Sequence, residues 1–218
     1  MTRYIAVTGT DTGVGKTIAT AALVAFFRAQ GLDTVAVKPV QTGVGPDEPG
    51  DAAEVERLCG PGTARELARV GPALAPETAA RLEDVDLPTV DEHIEQIRAL
   101  DHDVVLVEGA GGVLVRLDRE GGTVIDIATR LSAEVVVVTR EALGTLNHTV
   151  LTVDRLRAAG LESTLVVGSA DPDPTLEARS NYTDLPRLTG CRVVGHVPAG
   201  SGSLPPDDFR RVAPSWFT

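Results

Sequence analysis

Lysine is nearly absent from this chain. Of its 20 Lys and Arg side chains only Lys16 and Lys38 are lysines, and arginine supplies the rest. Surface solvation is therefore left to arginine, and both lysines are expected to serve a site. Positive charge is short as a whole. The 31 Asp and Glu outweigh it, giving a formal charge of −11 at pH 7. That balance excludes a broad nucleic-acid or anionic-membrane surface, while leaving room for a local basic pocket. Cysteine is also scarce: Cys59 and Cys191 stand far apart and match no metal-ligand spacing. They read as small buried hydrophobes of a reducing compartment. No apolar run is long enough to cross a bilayer, and Met1-Thr2-Arg3 leads straight into a strand instead of a signal peptide, so the expected location is the cytoplasm. Missing too are internal repeats, low-complexity tracts, any Ser-His-Asp or Cys-His grouping, and a His-Glu-x-x-His pair.

What is present is an ordinary globular composition, 43% hydrophobic and 23% charged over 218 residues. It suits one α/β domain, residues 1–218, with a substantial core and no internal boundary. Strand and helix signals alternate. Tyr4–Thr8, Thr34–Val37, Asp103–Val107, Glu134–Val138, Leu161–Val167 and Arg192–Val197 are short apolar runs of the kind buried on both faces. Helical patterns fall between them at Ile18–Gln30, Asp51–Cys59, Val90–Leu100, Val124–Leu131, Asn147–Ala159 and Thr175–Leu188. This order predicts a doubly wound, mainly parallel sheet with right-handed crossovers and helices on both faces. Gly43–Gly50 is expected to be a mobile loop, Gly60–Pro88 loose excursions over the sheet, and residues 199–218 a surface tail.

The strongest motif lies between the first strand and the first helix. Gly9-Thr10-Asp11-Thr12-Gly13-Val14-Gly15-Lys16-Thr17 is a glycine-rich loop that opens a helix with Gly-Lys-Thr. Inward-pointing backbone N–H groups and the positive helix end make such a loop a phosphate cradle. In that role Lys16 reaches the β- and γ-phosphates and the Thr17 hydroxyl takes Mg²⁺. The first glycine, Gly9, stands one position earlier than the usual spacing, so the loop is of a deviant nucleoside-triphosphate type.

In open parallel sheets ligands bind beyond the carboxyl ends of the strands, and three further strand ends carry candidates. Lys38-Pro39-Val40-Gln41-Thr42-Gly43 follows the second strand, with Lys38 facing the cleft and Thr42 a possible hydroxyl contact. Glu108-Gly109-Ala110-Gly111-Gly112 follows the third, placing a carboxylate where a Mg²⁺ ligand is wanted and glycines where backbone approaches ligand closely. Leu143-Gly144-Thr145-Leu146-Asn147-His148 follows the fourth, and local physics makes Asn147 a helix cap. Asp47, Glu48 and Asp51 share the end of the loop after Lys38, and spacing does not choose among them.

Together these segments resemble the dethiobiotin synthetase family, in its order and approximate spacing, from residue 4 to about 200. The displaced loop glycine is itself a trait of that family. The resemblance implies an ATP-dependent cyclo-ligase of the P-loop class that joins 7,8-diaminononanoate to CO₂ in biotin biosynthesis. It implies phosphate contacts from Gly13, Val14, Gly15, Lys16 and Thr17, and Mg²⁺ held by Thr17, Asp51 and Glu108. Lys16 and Lys38 would stabilise the transferring phosphoryl and the carbamate. Thr12, Thr42 and the backbone of Gly111, Gly112 and Val113 would contact the diamine. It further implies a homodimer in which the loop carrying Leu146 and Asn147 serves the neighbour's substrate carboxylate. The base would lie between the residue at Ser169 and Pro198-Ala199-Gly200. Many relatives carry Asn where this chain has Ser169, and a hydroxyl lacks the paired donor and acceptor of an amide. Other nucleoside triphosphates are therefore expected to compete with ATP. A switch or partitioning ATPase is disfavoured because the loop start, Gly9-Thr10-Asp11, lacks the second lysine usual in that class, and by the mixed tail Asp207-Asp208-Phe209-Arg210-Arg211. A GTPase is disfavoured by the lack of an Asn-Lys-x-Asp sequence. An amidotransferase-type relative is disfavoured because neither cysteine sits in a nucleophile elbow.

Overall fold

The computed structural model describes residues 1–218. Seven strands form one sheet: β1 Arg3–Gly9, β2 Thr34–Lys38, β3 Ala64–Glu66, β4 Val104–Gly112, β5 Glu134–Thr139, β6 Ser163–Ala170 and β7 Val193–Pro198. Their spatial order is β3-β2-β4-β1-β5-β6-β7, and every pairing is parallel. The helices are α1 Lys16–Ala29, α2 Asp51–Cys59, α3 Pro76–Glu83, α4 Val90–Arg98, α5 Val124–Leu131, α6 Thr145–Ala158, α7 Leu176–Thr189 and α8 Pro206–Val212. None is long and apolar enough to cross a membrane.

Period-two alternation divides the strand side chains between two cores. Ala6, Val35, Val37, Val105, Val107, Val135 and Val137 join one, with Ile94 and Ile97 of α4, Ile127 of α5 and Leu156 of α6. Ile5, Val7, Ala36, Leu106, Val136 and Val138 join the other, with Leu23, Val24 and Phe27 of α1, Leu58 of α2 and Phe209 of α8. Both faces are covered, so apolar residues dominate the strand interiors, and this is why they read as continuous runs; the buried polar side chains Lys38 and Glu108 lie toward the carboxyl ends of β2 and β4. Helix starts are set locally where the sequence allows it. Thr89 with Glu92, and Thr123 with Asp126, form capping boxes for α4 and α5.

Four expectations are corrected. Gly60–Pro88 is not loose throughout: it contains β3, a short edge strand on β2, and α3, opened by Pro76 at its first turn. Residues 199–218 are no surface tail, because α8 inserts a fully buried Phe209 that meets Trp216 edge-on at 5.5 Å. Strand β4 does not stop at Val107 but runs to Gly112, where Gly112 pairs with Gly9 after a register shift. Glu108 therefore sits within the strand, level with Val7. Finally, Asn147 is no helix cap: α6 begins two residues earlier, with Gly144 in the left-handed region at φ 92° as its cap. The Gly43–Gly50 loop is tethered, since Arg69 donates to the carbonyls of Gly45 (2.6 Å) and Glu48 (2.7 Å).

Candidate active site

β1 lies where the winding of the sheet reverses, with β4 on one side and β5 on the other. A crevice opens there, at the carboxyl ends of the strands. The loop leaving β1 crosses it, held to β5 by Thr10 N–H donating to Val138 O at 3.0 Å. Gly15 stands at φ 93° as the cap of α1 and offers no capping side chain, so the first N–H groups of the helix are not claimed by one. Lys16 arches back over the loop and donates to Asp11 O at 2.9 Å. Arg140, just after β5, donates to Thr12 O at 2.7 Å and braces the loop from outside.

Behind the loop is a buried charge cluster. Lys38 is the last residue of β2 and only 5% exposed. Its Nζ lies 2.5 Å from Asp51 Oδ2 and 3.0 Å from Glu108 Oε1. The Thr17 hydroxyl donates to the same Glu108 oxygen at 3.0 Å. Burial disfavours charge on the Lys38 ammonium, but Glu108 and Asp51 overcome this and hold its pKa above the ordinary value. Burial likewise works against the Asp51 carboxylate, and the Lys38 charge, with hydrogen bonds from Lys38 and Thr17, holds its pKa below the usual range. Lys16 moves the other way: burial first, then repulsion from Lys38, lowers its pKa. Of Asp47, Glu48 and Asp51, which spacing leaves open, Asp51 is the one that contacts Lys38.

A hydroxyl and two carboxylates beside the start of α1 form a hard-oxygen donor set that fits Mg²⁺. No group of three or more His, Cys, Asp or Glu is placed to hold a metal ion by itself.

A cavity of about 660 Å³ opens over the cluster. Thr12, Gly13, Gly15, Lys16 and Thr17 line one wall, and Lys38, Thr42 and Asp51 another. Glu108, Gly111 and Ser169 also line it, with Gln41 among the others, and Pro76 of the unforeseen α3 adds an apolar rim. Val14 is buried beneath the loop, and Val113 is buried beyond β4, next to Gly112. Pro198, Ala199 and Gly200 lie outside the lining but beside Ser169, because Ala170 pairs with Pro198 and Ala199 N–H donates to Ala170 O at 2.8 Å. Leu146 packs on the core, and Asn147 is exposed on α6 and does not line the cavity.

Three features here escaped the sequence reading. A Cβ on Gly168 would stand 2.1 Å from Val14 O, so this glycine lets β6 close against the phosphate loop. Ser169 adopts φ 54°, the left-handed region in which a serine is uncommon. Gln41 lies within the segment Lys38–Gly43 but was given no role there, and Arg140 reaches the phosphate loop from the end of β5 with no motif to mark it.

The fold and the phosphate loop define a nucleotide-binding α/β protein of the P-loop class. Known proteins agree. A family model described as an AAA domain matches residues 3–206. Among solved structures, the septum site-determining protein MinD of Pyrococcus horikoshii, complexed with Mg-ADP, superposes with a TM-score of 0.60 at 19% identity, covering 97% of this chain and 90% of that one. A ParA family ATPase of Chlorobium tepidum gives 0.59 at 14%, covering 98% and 92%. These likenesses concern the fold. Sequence narrows the class: the ATP-dependent dethiobiotin synthetase BioD of Rhodococcus jostii is 52% identical over 98% of this chain and 94% of its own length. That of Streptomyces coelicolor is 51% identical, covering 98% and 91%. The chain belongs to the dethiobiotin synthetase family.

Proposed function

We propose that this protein is a cytoplasmic, Mg²⁺- and ATP-dependent ligase that closes the ureido ring of dethiobiotin from 7,8-diaminononanoate and CO₂. The observation that carries the reading is the convergence of Lys16, Thr17, Lys38, Asp51 and Glu108 at the base of one 660 Å³ cavity. One amine takes up CO₂ as a carbamate and releases a proton. A carbamate oxygen then accepts the γ-phosphoryl group, ADP leaves, and a carbamic-phosphoric anhydride remains. The second amine attacks the carbamoyl carbon, expels phosphate and closes the ring. No covalent enzyme intermediate is required, which suits a site without a nucleophile–base pair. Positioning and charge stabilisation supply the catalysis.

In this reading the backbone of Gly13, Val14 and Gly15 binds phosphate, and Lys16 follows the charge that develops on the transferring group. Lys38, buried and held charged by its two carboxylate neighbours, is the cation for the carbamate. Thr17, Asp51 and Glu108 hold Mg²⁺, which when bound offsets phosphate charge. Thr12, Thr42 and the Gly111–Val113 backbone orient the diamine. Ser169 and Pro198–Gly200 flank the base, and a lone hydroxyl there leaves room for other nucleoside triphosphates. Asn147 and Leu146 act on the partner's substrate in a homodimer.

The test is phosphate release with ATP, Mg²⁺ and bicarbonate, with and without the diamine, repeated with CTP and GTP. Release is expected to depend on the diamine and to tolerate the change of base. Release indifferent to the diamine would overturn the ligase reading.

A further inference from the structure

Gln41 lines the cavity and is only 5% exposed, yet none of the roles above uses it. Both ends of its amide are engaged. Oε1 accepts the Asp51 N–H at 2.8 Å, and Nε2 donates to the Thr42 carbonyl at 2.8 Å. The first bond caps α2 from outside the helix. The cap residue itself is Gly50, which has no side chain to offer, so Gln41, ten positions before Asp51, provides the acceptor. Gln41 is in turn anchored through its backbone: its N–H donates to Ala68 O at 2.8 Å, and its carbonyl accepts from Val70 N–H at 3.0 Å. The fit is tight. A Cβ on Gly50 would stand 2.8 Å from both Cδ and Oε1 of Gln41.

Asp51 needs such a support. It is the first residue of a helix that follows the Gly- and Pro-rich stretch from Gly43 to Gly50, and its side chain is 33% exposed, against 3% for Glu108. Glu108 is held within a central strand, whereas Asp51, apart from its ion pair with Lys38, is held by the start of α2. We infer that Gln41 is the positioning residue for Asp51: its amide sets the carboxylate against Lys38 and the metal-binding oxygens, and ties that setting to the Thr42 side of the substrate cavity. The inference rests on the proposed role of Asp51 as a metal ligand.

The test measures metal binding apart from turnover. Mn²⁺ is titrated into the full-length protein with a non-hydrolysable imido analogue of ATP, and free Mn²⁺ is followed by electron paramagnetic resonance. Gln41→Met keeps length and bulk but removes both hydrogen bonds. It is expected to weaken Mn²⁺ binding by about 10- to 100-fold, the usual effect of losing a group that orients a metal ligand. The apparent KM for Mg²⁺ should rise in parallel, with kcat recovering at saturating Mg²⁺, a split that general loss of structure does not produce. Gly50→Ala is the second variant. Its φ of −97° suits alanine, and the new methyl displaces the Gln41 amide without altering Gln41. It should move Mn²⁺ binding in the same direction, and it decides the matter if Gln41→Met does not fold. Wild-type Mn²⁺ affinity in the folded variants overturns the inference. A wild-type protein that binds no Mn²⁺ with the analogue overturns the metal role of Asp51, and the inference with it.

Discussion

Lys38 shows how much one side chain can carry in a chain that uses lysine only twice. It neutralises two carboxylates that would otherwise face each other in a low-dielectric site. Lys38→Gln is expected to lower kcat by about 10²- to 10³-fold, the range for losing one preorganised electrostatic contact in a transition state. It should also lower stability by about 3–5 kcal/mol, because the Glu108 carboxylate stays buried without its cation. Steady-state kinetics and urea denaturation check both. His93 makes the opposite point. It is fully buried on α4, and neither ring nitrogen has a hydrogen-bond partner. Burial lowers its pKa, with Asp118 and Glu92 partly opposing. The folded-state pKa thus lies below the unfolded value, and below about pH 6.5 the unfolded chain binds more protons. Stability should be full above that pH and decline as pH falls toward the folded-state pKa. His93→Leu should remove this slope without loss at about pH 8, as seen by thermal melts at about pH 8 and about pH 5.5. The lowered pKa of Asp51 acts separately, below about pH 4.

At the scale of elements, the site depends on how β6 and α2 meet the phosphate loop. The loop motif was legible because strand, glycines, Lys16 and helix are contiguous. Gly168 was not, because its constraint is a contact with Val14 O in the phosphate loop, far away in sequence. Gly168→Ala is expected to push the loop away from β6 and to weaken nucleotide binding by about 10²-fold, the cost of misplacing binding groups by about 1 Å. Isothermal titration with the ATP analogue measures it, and unchanged affinity would mean that the loop accommodates the methyl. β3 was hidden for another reason. Its three residues pair only along the β2 edge, and a span that short has no periodicity to detect. Phe209 was hidden because Pro205-Pro206 reads as a break, whereas those prolines cap and open α8.

At the scale of the whole molecule, Asn147 is exposed and absent from the cavity of its own chain. Leu143, 90% exposed, and Leu151, 61% exposed, lie close to it in sequence. A second copy covering this face would bury those leucines and bring Asn147 to the neighbour's site. Lys16→Ala and Asn147→Ala proteins, each inactive alone, are then expected to recover about a quarter of wild-type activity after random subunit exchange, since half of the dimers are mixed and each mixed dimer holds one intact site. No recovery despite confirmed exchange would make each site self-contained.

The sequence by itself determined the nucleotide loop, the alternation of strands and helices, the buried character of the sheet and the family. Each of these is written in contiguous residues whose period or spacing has a local physical cause. Only the tertiary structure decided that Asp51, and neither Asp47 nor Glu48, joins Lys38 and Glu108. It alone showed that Glu108 stands within β4, that Gln41 caps α2 and that the last residues complete a core. These facts depend on contacts between segments far apart in the chain, where burial and hydrogen bonding are settled by packing and not by spacing.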